Sequence, residues 1–113
     1  MSAQQVTFDD FQKLDIRAGT ILTAAPLEGA KKPAYRLTVD LGPEIGVKQS
    51  SAQVCTLYEA EALVGRQVLA VTNFPPRRVA GFISEVLVLG LYAQAGVVLI
   101  TPERTVQNGD RLG

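Results

Sequence analysis

Residues 46–73 read GVKQSSAQVCTLYEAEALVGRQVLAVTN, and the order of elements in this stretch is the main guide to the architecture. Residues 67–73 form an apolar run of strand length. Before it, Thr56 and Glu59 have capping-box spacing, so that each side chain can satisfy the other's exposed backbone donor. Gly65 supplies a stop, and a short helix is expected over about 57–64. Residues 46–55 are expected to be a third strand of unusual composition. Its centre, Lys48-Gln49-Ser50-Ser51-Ala52-Gln53, is too polar for a strand buried on either face. Lys48, Ser50 and Gln53 offer a cation and small hydrogen-bonding groups, which suit phosphate, sugar or backbone amides. A solvated strand end explains the same composition.

Working outward, residues 35–41 carry the clearest strand pattern. Tyr35, Leu37, Val39 and Leu41 face one way, and Arg36, Thr38 and Asp40 the other. Residues 15–24 alternate as well, and Gly19 within them predicts a bend or bulge of the kind small closed barrels need. Thr7 with Asp9 and Asp10 marks a helix start, followed by a short helix over about 8–13. Downstream, residues 82–90 and 97–101 are expected to be the fifth and sixth strands, and Asn108-Gly109 is a tight-turn signal. The apolar run 86–89 asks for cover on both faces.

Three strands, a short helix, two strands and one further strand describe an all-β chain. A helix between strands three and four of a five-stranded barrel is the arrangement of the oligonucleotide/oligosaccharide-binding fold, or OB-fold. Other small barrels and sandwiches fit the pattern too. The length of 113 residues points to one domain spanning 1–113.

Composition narrows the chemistry. Histidine is absent and Cys55 is the lone cysteine. The usual nucleophile–base pairs and most zinc patterns are thereby removed, so neither an enzyme nor a metal or cofactor site is expected. The lone cysteine, the absence of a signal-like start and the absence of a run long enough to cross a membrane point to a cytoplasmic protein without membrane insertion. Eleven basic residues balance 11 acidic ones. A nucleic-acid surface therefore requires clustering rather than excess. Lys31, Lys32, Arg36 and Lys48 cluster in one half of the chain, Arg77 and Arg78 in the other.

Arg77 and Arg78 follow Pro75-Pro76, which stiffens the corner and lowers the cost of ordering two guanidiniums against phosphates. Ordinary solvated arginines fit the same loop. Ser84 and Glu85 are read either as a pair satisfying nearby backbone or as a ligand hydrogen bond with an organiser for Lys48. Phe74 and Phe82 are either core residues or stacking platforms for bases.

DIRAGTI at 15–21, KPAYRLTVDLG at 32–42, KQSSAQV at 48–54, LVGRQVLAVTNFPP at 63–76 and SEVLVLG at 84–90 together resemble the tRNA-binding domain family. Within it they are most similar to the CsaA-type secretion chaperones. Val86-Leu87 stands where the domains appended to tRNA synthetases usually carry Gly-Met. The resemblance implies an OB-fold homodimer in which extra C-terminal strands help form the dimer contact. It implies shape-based tRNA binding without a base code, and export-related chaperoning of unfolded or presecretory polypeptides. Its RNA surface maps onto Lys32, Lys48, Ser50, Gln53, Asn73 and Ser84, flanked by Arg36, Arg77 and Arg78. The alternative is a polypeptide-binding chaperone in which RNA binding is secondary or absent. The dimer contact is expected at 86–89 and 97–100, with the 8–13 helix as a further candidate.

Overall fold

Alternation along Tyr35–Asp40 buries Tyr35, Leu37 and Val39 and leaves Arg36 on the surface. Period two dictates this for a strand with one face in the core. The computed structural model describes residues 4–113. In chain order the elements are α1 (Phe8–Gln12), β1 (Ile16–Pro26), β2 (Tyr35–Asp40), α2 (Gly42–Ile45), β3 (Val47–Ala52), α3 (Ala60–Leu63) and β4 (Gln67–Val71). They continue with β5 (Arg77–Val79), β6 (Phe82–Ser84), β7 (Leu87–Val88), β8 (Gly90–Ala93) and β9 (Gly96–Leu99).

Five strands form one antiparallel sheet in the order β3-β2-β1-β4-β7. The sheet curls until its end strands meet, giving an all-β barrel of the OB type with α3 between β3 and β4. Ile21, Leu37, Val39, Leu41, Val68 and the α3 residue Leu63 fill its interior. Two hairpins stand outside the sheet, β5 with β6 and β8 with β9. The C-terminal segment runs along the free edge of β1, through Ala18 N to the Asp110 carbonyl at 2.9 Å and Leu112 N to the Ile16 carbonyl at 2.8 Å.

Several local expectations are corrected by tertiary contacts. The register shift in β1 lies between Ile21 and Thr23, not at Gly19. Gly19 is required for a different reason: a Cβ there would sit 2.7 Å from side-chain carbons of both Val39 and Leu41. The Thr56–Glu59 capping box does not form. Tyr58 is held instead by the Tyr35 hydroxyl, which donates to its carbonyl at 2.7 Å, and by Leu99 N, which donates to its hydroxyl at 3.1 Å. The helix therefore starts only at Ala60, with no side-chain cap bond. The capping box that does form joins Thr7 and Asp10 at the start of α1. The expected strand over 82–90 is three strands in three sheets. Arg77–Val79, read as a corner, is a strand of its own, because Ala80 and Gly81 both take positive φ and turn the chain back on itself.

Barrel closure rests on two side chains. On β3, the backbone of Gln49 and Ser51 points away from β2, toward the gap. Ser84 Oγ accepts from Ser51 N at 3.0 Å, and Glu85 Oε1 accepts from Gln49 N at 3.1 Å. In return Glu85 N donates to the Gln49 carbonyl at 2.8 Å. Side chains thus occupy the places a sixth strand's carbonyls would take, which is why the strand pattern breaks at 85. Beside the barrel, Arg17 donates to Asp15 at 2.6 Å, to Glu44 at 2.9 Å and to the Gly109 carbonyl at 3.0 Å, tying β1, α2 and the C-terminal segment together.

Two outcomes are expected. Ser84→Ala leaves the partly buried Ser51 amide without its acceptor and costs roughly 1–3 kcal/mol in denaturant unfolding, with faster hydrogen exchange at Ser51. Glu85→Gln keeps an acceptor for Gln49 N and costs less; equal losses would show that the Ser84 bond is not the closing contact. Separately, the Arg17 guanidinium holds the Asp15 carboxyl below its usual value, against the opposing effect of burial. A depressed native pKa contributes stability above the ordinary carboxylate range, and that stability is lost as pH falls through the lowered value. The stability gap between the native chain and Asp15→Asn should be full at neutral pH and shrink in acid. A gap independent of pH would contradict this assignment.

Candidate nucleic-acid interface

The outward face of β2 and β3 is built by register. Arg36 lies opposite Ser51 and Thr38 opposite Gln49, so these four side chains share one surface. Ser50 and Ala52 alternate inward and are buried. The polarity that made this strand unusual is therefore divided between two faces. One serine is sealed inside, and the neighbouring polar residues are presented to solvent.

The β5–β6 hairpin stands against this face. Arg77 is paired with Ser84, and Arg78 with Ile83. Because cross-strand partners point the same way, Arg77 accompanies Ser84, whose oxygen holds Ser51, while Arg78 faces away. Arg77, Gln53 and Ser84 line a groove of about 470 Å³ that also takes in Phe74, Leu87 and Tyr92. A second, smaller groove of about 210 Å³ lies among Thr23, Arg36, Thr38, Gln49 and Phe82. The loop at 27–33 reaches the hairpin turn: a Cβ on Gly29 would be 3.8 Å from that of Ala80. The Lys31-Lys32 loop and the Arg77-Arg78 hairpin are therefore neighbours.

The electrostatics follow from which cations are paired. Lys13, Arg17, Arg104 and Arg111 each have a carboxylate within ion-pair distance, and Lys48 Nζ is 3.8 Å from Glu85. Among the described residues, Lys31, Lys32, Arg36, Arg77 and Arg78 make no ion pair and are exposed. Arg66 is unpaired too but lies apart, over the Tyr58 ring; the other unpaired cations gather on β2, the neighbouring loop, which also carries Glu28, and the hairpin.

Three expected contact residues have different surroundings. Ser50 is 0% exposed and its hydroxyl donates to the Ser51 carbonyl, so it offers no surface to a ligand. Asn73 is exposed, and its carboxamide already holds two backbone groups: Oδ1 accepts from Asp15 N at 2.9 Å and Nδ2 donates to the Lys13 carbonyl at 2.7 Å. It pins the end of α1 to the end of β4 and lines neither groove. Lys48 lines neither groove as well. Thr38, Gln49 and Ser51, which were not among the expected contacts, share this outward face with Arg36. The signal was available, since the alternation of β2 fixes which β3 neighbours face outward once their register is known.

Burial raises the Cys55 thiol above its usual value and keeps it protonated. No cluster of three or more metal-ligating side chains occurs among the described residues. No helix among them is long and apolar enough to cross a membrane.

Comparison with known proteins agrees with this geometry. The family model described as "Putative tRNA binding domain" matches residues 16–111. A structure of the chaperone CsaA from Bacillus anthracis superposes with a TM-score of 0.90 and 48% identity, covering 97% of this chain and 100% of that one. CsaA from Picrophilus torridus gives a TM-score of 0.92 and 45% identity over 96% of this chain and 100% of that one. Among curated sequences, a methionine–tRNA ligase of Methanococcoides burtonii is 41% identical over 92% of this chain. The chain spans about 15% of the length of that ligase. With a family match across the whole barrel and an OB-type fold carrying unpaired cations on one surface, the chain belongs to the tRNA-binding domain family.

Proposed function

We propose that the chain binds tRNA through the outward face of β2 and β3, the Lys31-Lys32 loop and the β5–β6 hairpin. It acts by binding and not by turnover. The observation that carries this reading is the concentration of unpaired cations there, while most cations elsewhere are paired with carboxylates. Guanidiniums and ammoniums spread over one surface suit a run of phosphates and read its spacing rather than its bases. Arg36, Arg77 and Lys32 carry most of that contact, with Arg78 as a flank and Gln53 and Ser84 at the groove. Lys48 contributes at long range only, Ser50 through packing and Asn73 through the α1 junction. The ligase activity of the curated relatives is no part of this proposal.

A second reading has its own observation. The larger groove is rimmed by Phe74, Leu87 and Tyr92, all exposed, Tyr92 at 98%. An apolar channel with Gln53, Arg77 and Ser84 along it suits an extended polypeptide, with side chains in the apolar part and backbone at the polar edge. This supports a chaperone role toward unfolded polypeptides, including those bound for export, in the cytoplasm. The same outward apolar residues, with Leu91, support a homodimer. Val86 and Val88 are committed to the barrel core, so Leu87 and Leu89 are what the 86–89 run brings to that contact.

Anisotropy titrations with bulk tRNA should show affinity falling roughly a hundredfold or more between about 50 and 200 mM salt, because each phosphate contact releases counterions. Arg36→Gln should lower the logarithmic slope by about one. Flat or absent binding would refute the RNA reading. For the second reading, stoichiometric protein should suppress aggregation of an unfolded client, and Tyr92→Ser with Leu87→Ser should weaken that effect. Sedimentation of the native chain at micromolar concentration should give a dimer; a monomer would remove the homodimer from the proposal.

A further inference from the structure

The smaller groove differs from the rest of the charged surface. Its lining combines one aromatic ring, one guanidinium, one carboxamide and a pair of hydroxyls, from Phe82, Arg36, Gln49, Thr23 and Thr38. Phe82 is half-buried, yet it is not among the apolar residues packed on the barrel core. Its ring is an apolar surface on the binding face, not a core residue. Among the described residues neither the Arg36 guanidinium nor the Gln49 carboxamide makes a hydrogen bond, so Arg36 keeps its donors and Gln49 keeps both donor and acceptor. Thr23 and Thr38 share one hydrogen bond at 2.6 Å, which leaves the second hydroxyl proton free.

Size restricts the occupant. About 210 Å³ is below the roughly 300–1,000 Å³ of sites that enclose drug-sized ligands, so the groove holds one ring system and no more. A flat ring bearing hydrogen-bond donors and acceptors on its edge, attached to an anion, matches every group present. The π-face meets Phe82, the edge meets Gln49 and the free hydroxyl, and the attached phosphate meets Arg36.

We propose that this groove takes a single unstacked nucleobase from a single-stranded part of a bound RNA, stacked on Phe82 and hydrogen-bonded at its edge by Gln49. The inference rests on the RNA-binding reading above and adds to it. Phosphate contacts position the strand without reading it, whereas this site engages a base. It also predicts that a paired, stacked helix alone cannot fill the groove, because its bases are not splayed out.

The test uses a short single-stranded RNA carrying one 2-aminopurine, whose emission is quenched by stacking on an aromatic ring, and the same strand with an abasic position in its place. The native chain should quench the 2-aminopurine and bind the abasic strand about tenfold more weakly. Phe82→Leu, which keeps apolar bulk but offers no π-face, should lose the quenching and the preference while keeping the salt slope. If Phe82→Leu unfolds, labelled native chain decides instead. The Gln49 side-chain amide resonances should shift with the 2-aminopurine strand and not with the abasic one. Salt-dependent binding with no quenching, with quenching unchanged in Phe82→Leu, or with identical Gln49 shifts for both strands overturns the base site and leaves the RNA reading standing. No RNA binding at any salt concentration overturns both.

Discussion

Closure of the barrel between β3 and the segment after β6 is the constraint on which the other features depend. An open sheet would leave the outer amides of Gln49 and Ser51 unpaired and the interior valines and leucines wet. The chain meets that demand with a serine hydroxyl, a carboxylate and two backbone amides rather than with a regular ladder. The same contacts fix the hairpin carrying Arg77 and Phe82 against β3. Stability and binding surface therefore share their anchor. A change at Ser84 acts on both, and loss of binding alone does not show that it touches a ligand.

Charge allocation follows from this frame. Acids and bases at the α1–β1 junction, α2 and the C-terminus neutralise one another in contacts that hold segments together. Arg36 and the loop and hairpin cations have no such partner and stand where the barrel turns its polar face to solvent. Zero net charge also includes carboxylates outside any ion pair, such as Asp9, Glu59 and Glu61, and the balance hides a cluster of unpaired cations on one part of the surface. Both grooves draw on the face of the β5–β6 hairpin that carries Ser84 and Phe82. Ser84 and Arg77 line the larger and Phe82 the smaller, so one hairpin supplies a polar edge to one and a ring to the other.

Much of the barrel was legible from residue order. The alternation in Tyr35–Asp40 reads directly as a strand with one buried face, and the α3 position between β3 and β4 follows from the apolar run after Gly65. Local patterns failed where a distant partner outweighed them. Thr56 and Glu59 have the spacing of a capping box, but Tyr58 is anchored by Tyr35 and Leu99 from two other strands. The run 82–90 is apolar enough for one strand, but Ser84 and Glu85 turn to β3 and divide it. The candidate site was legible in composition and not in geometry. Ser50 and Ser51 are indistinguishable by type, and register alone buries one and turns the other, half-buried, to the outer face.

The sequence by itself determined the class of the protein. Period-two patterns and a single inter-strand helix led to an all-β barrel, and its ordered motifs led to its family. Only the tertiary structure decided which polar residues are available. Asn73 and Ser50 carry the right chemistry, yet the first is oriented by two backbone hydrogen bonds at the α1 junction and the second is sealed in the core. Availability is a property of neighbours. It depends on strand register and on contacts between segments tens of residues apart, which short-range sequence patterns do not encode.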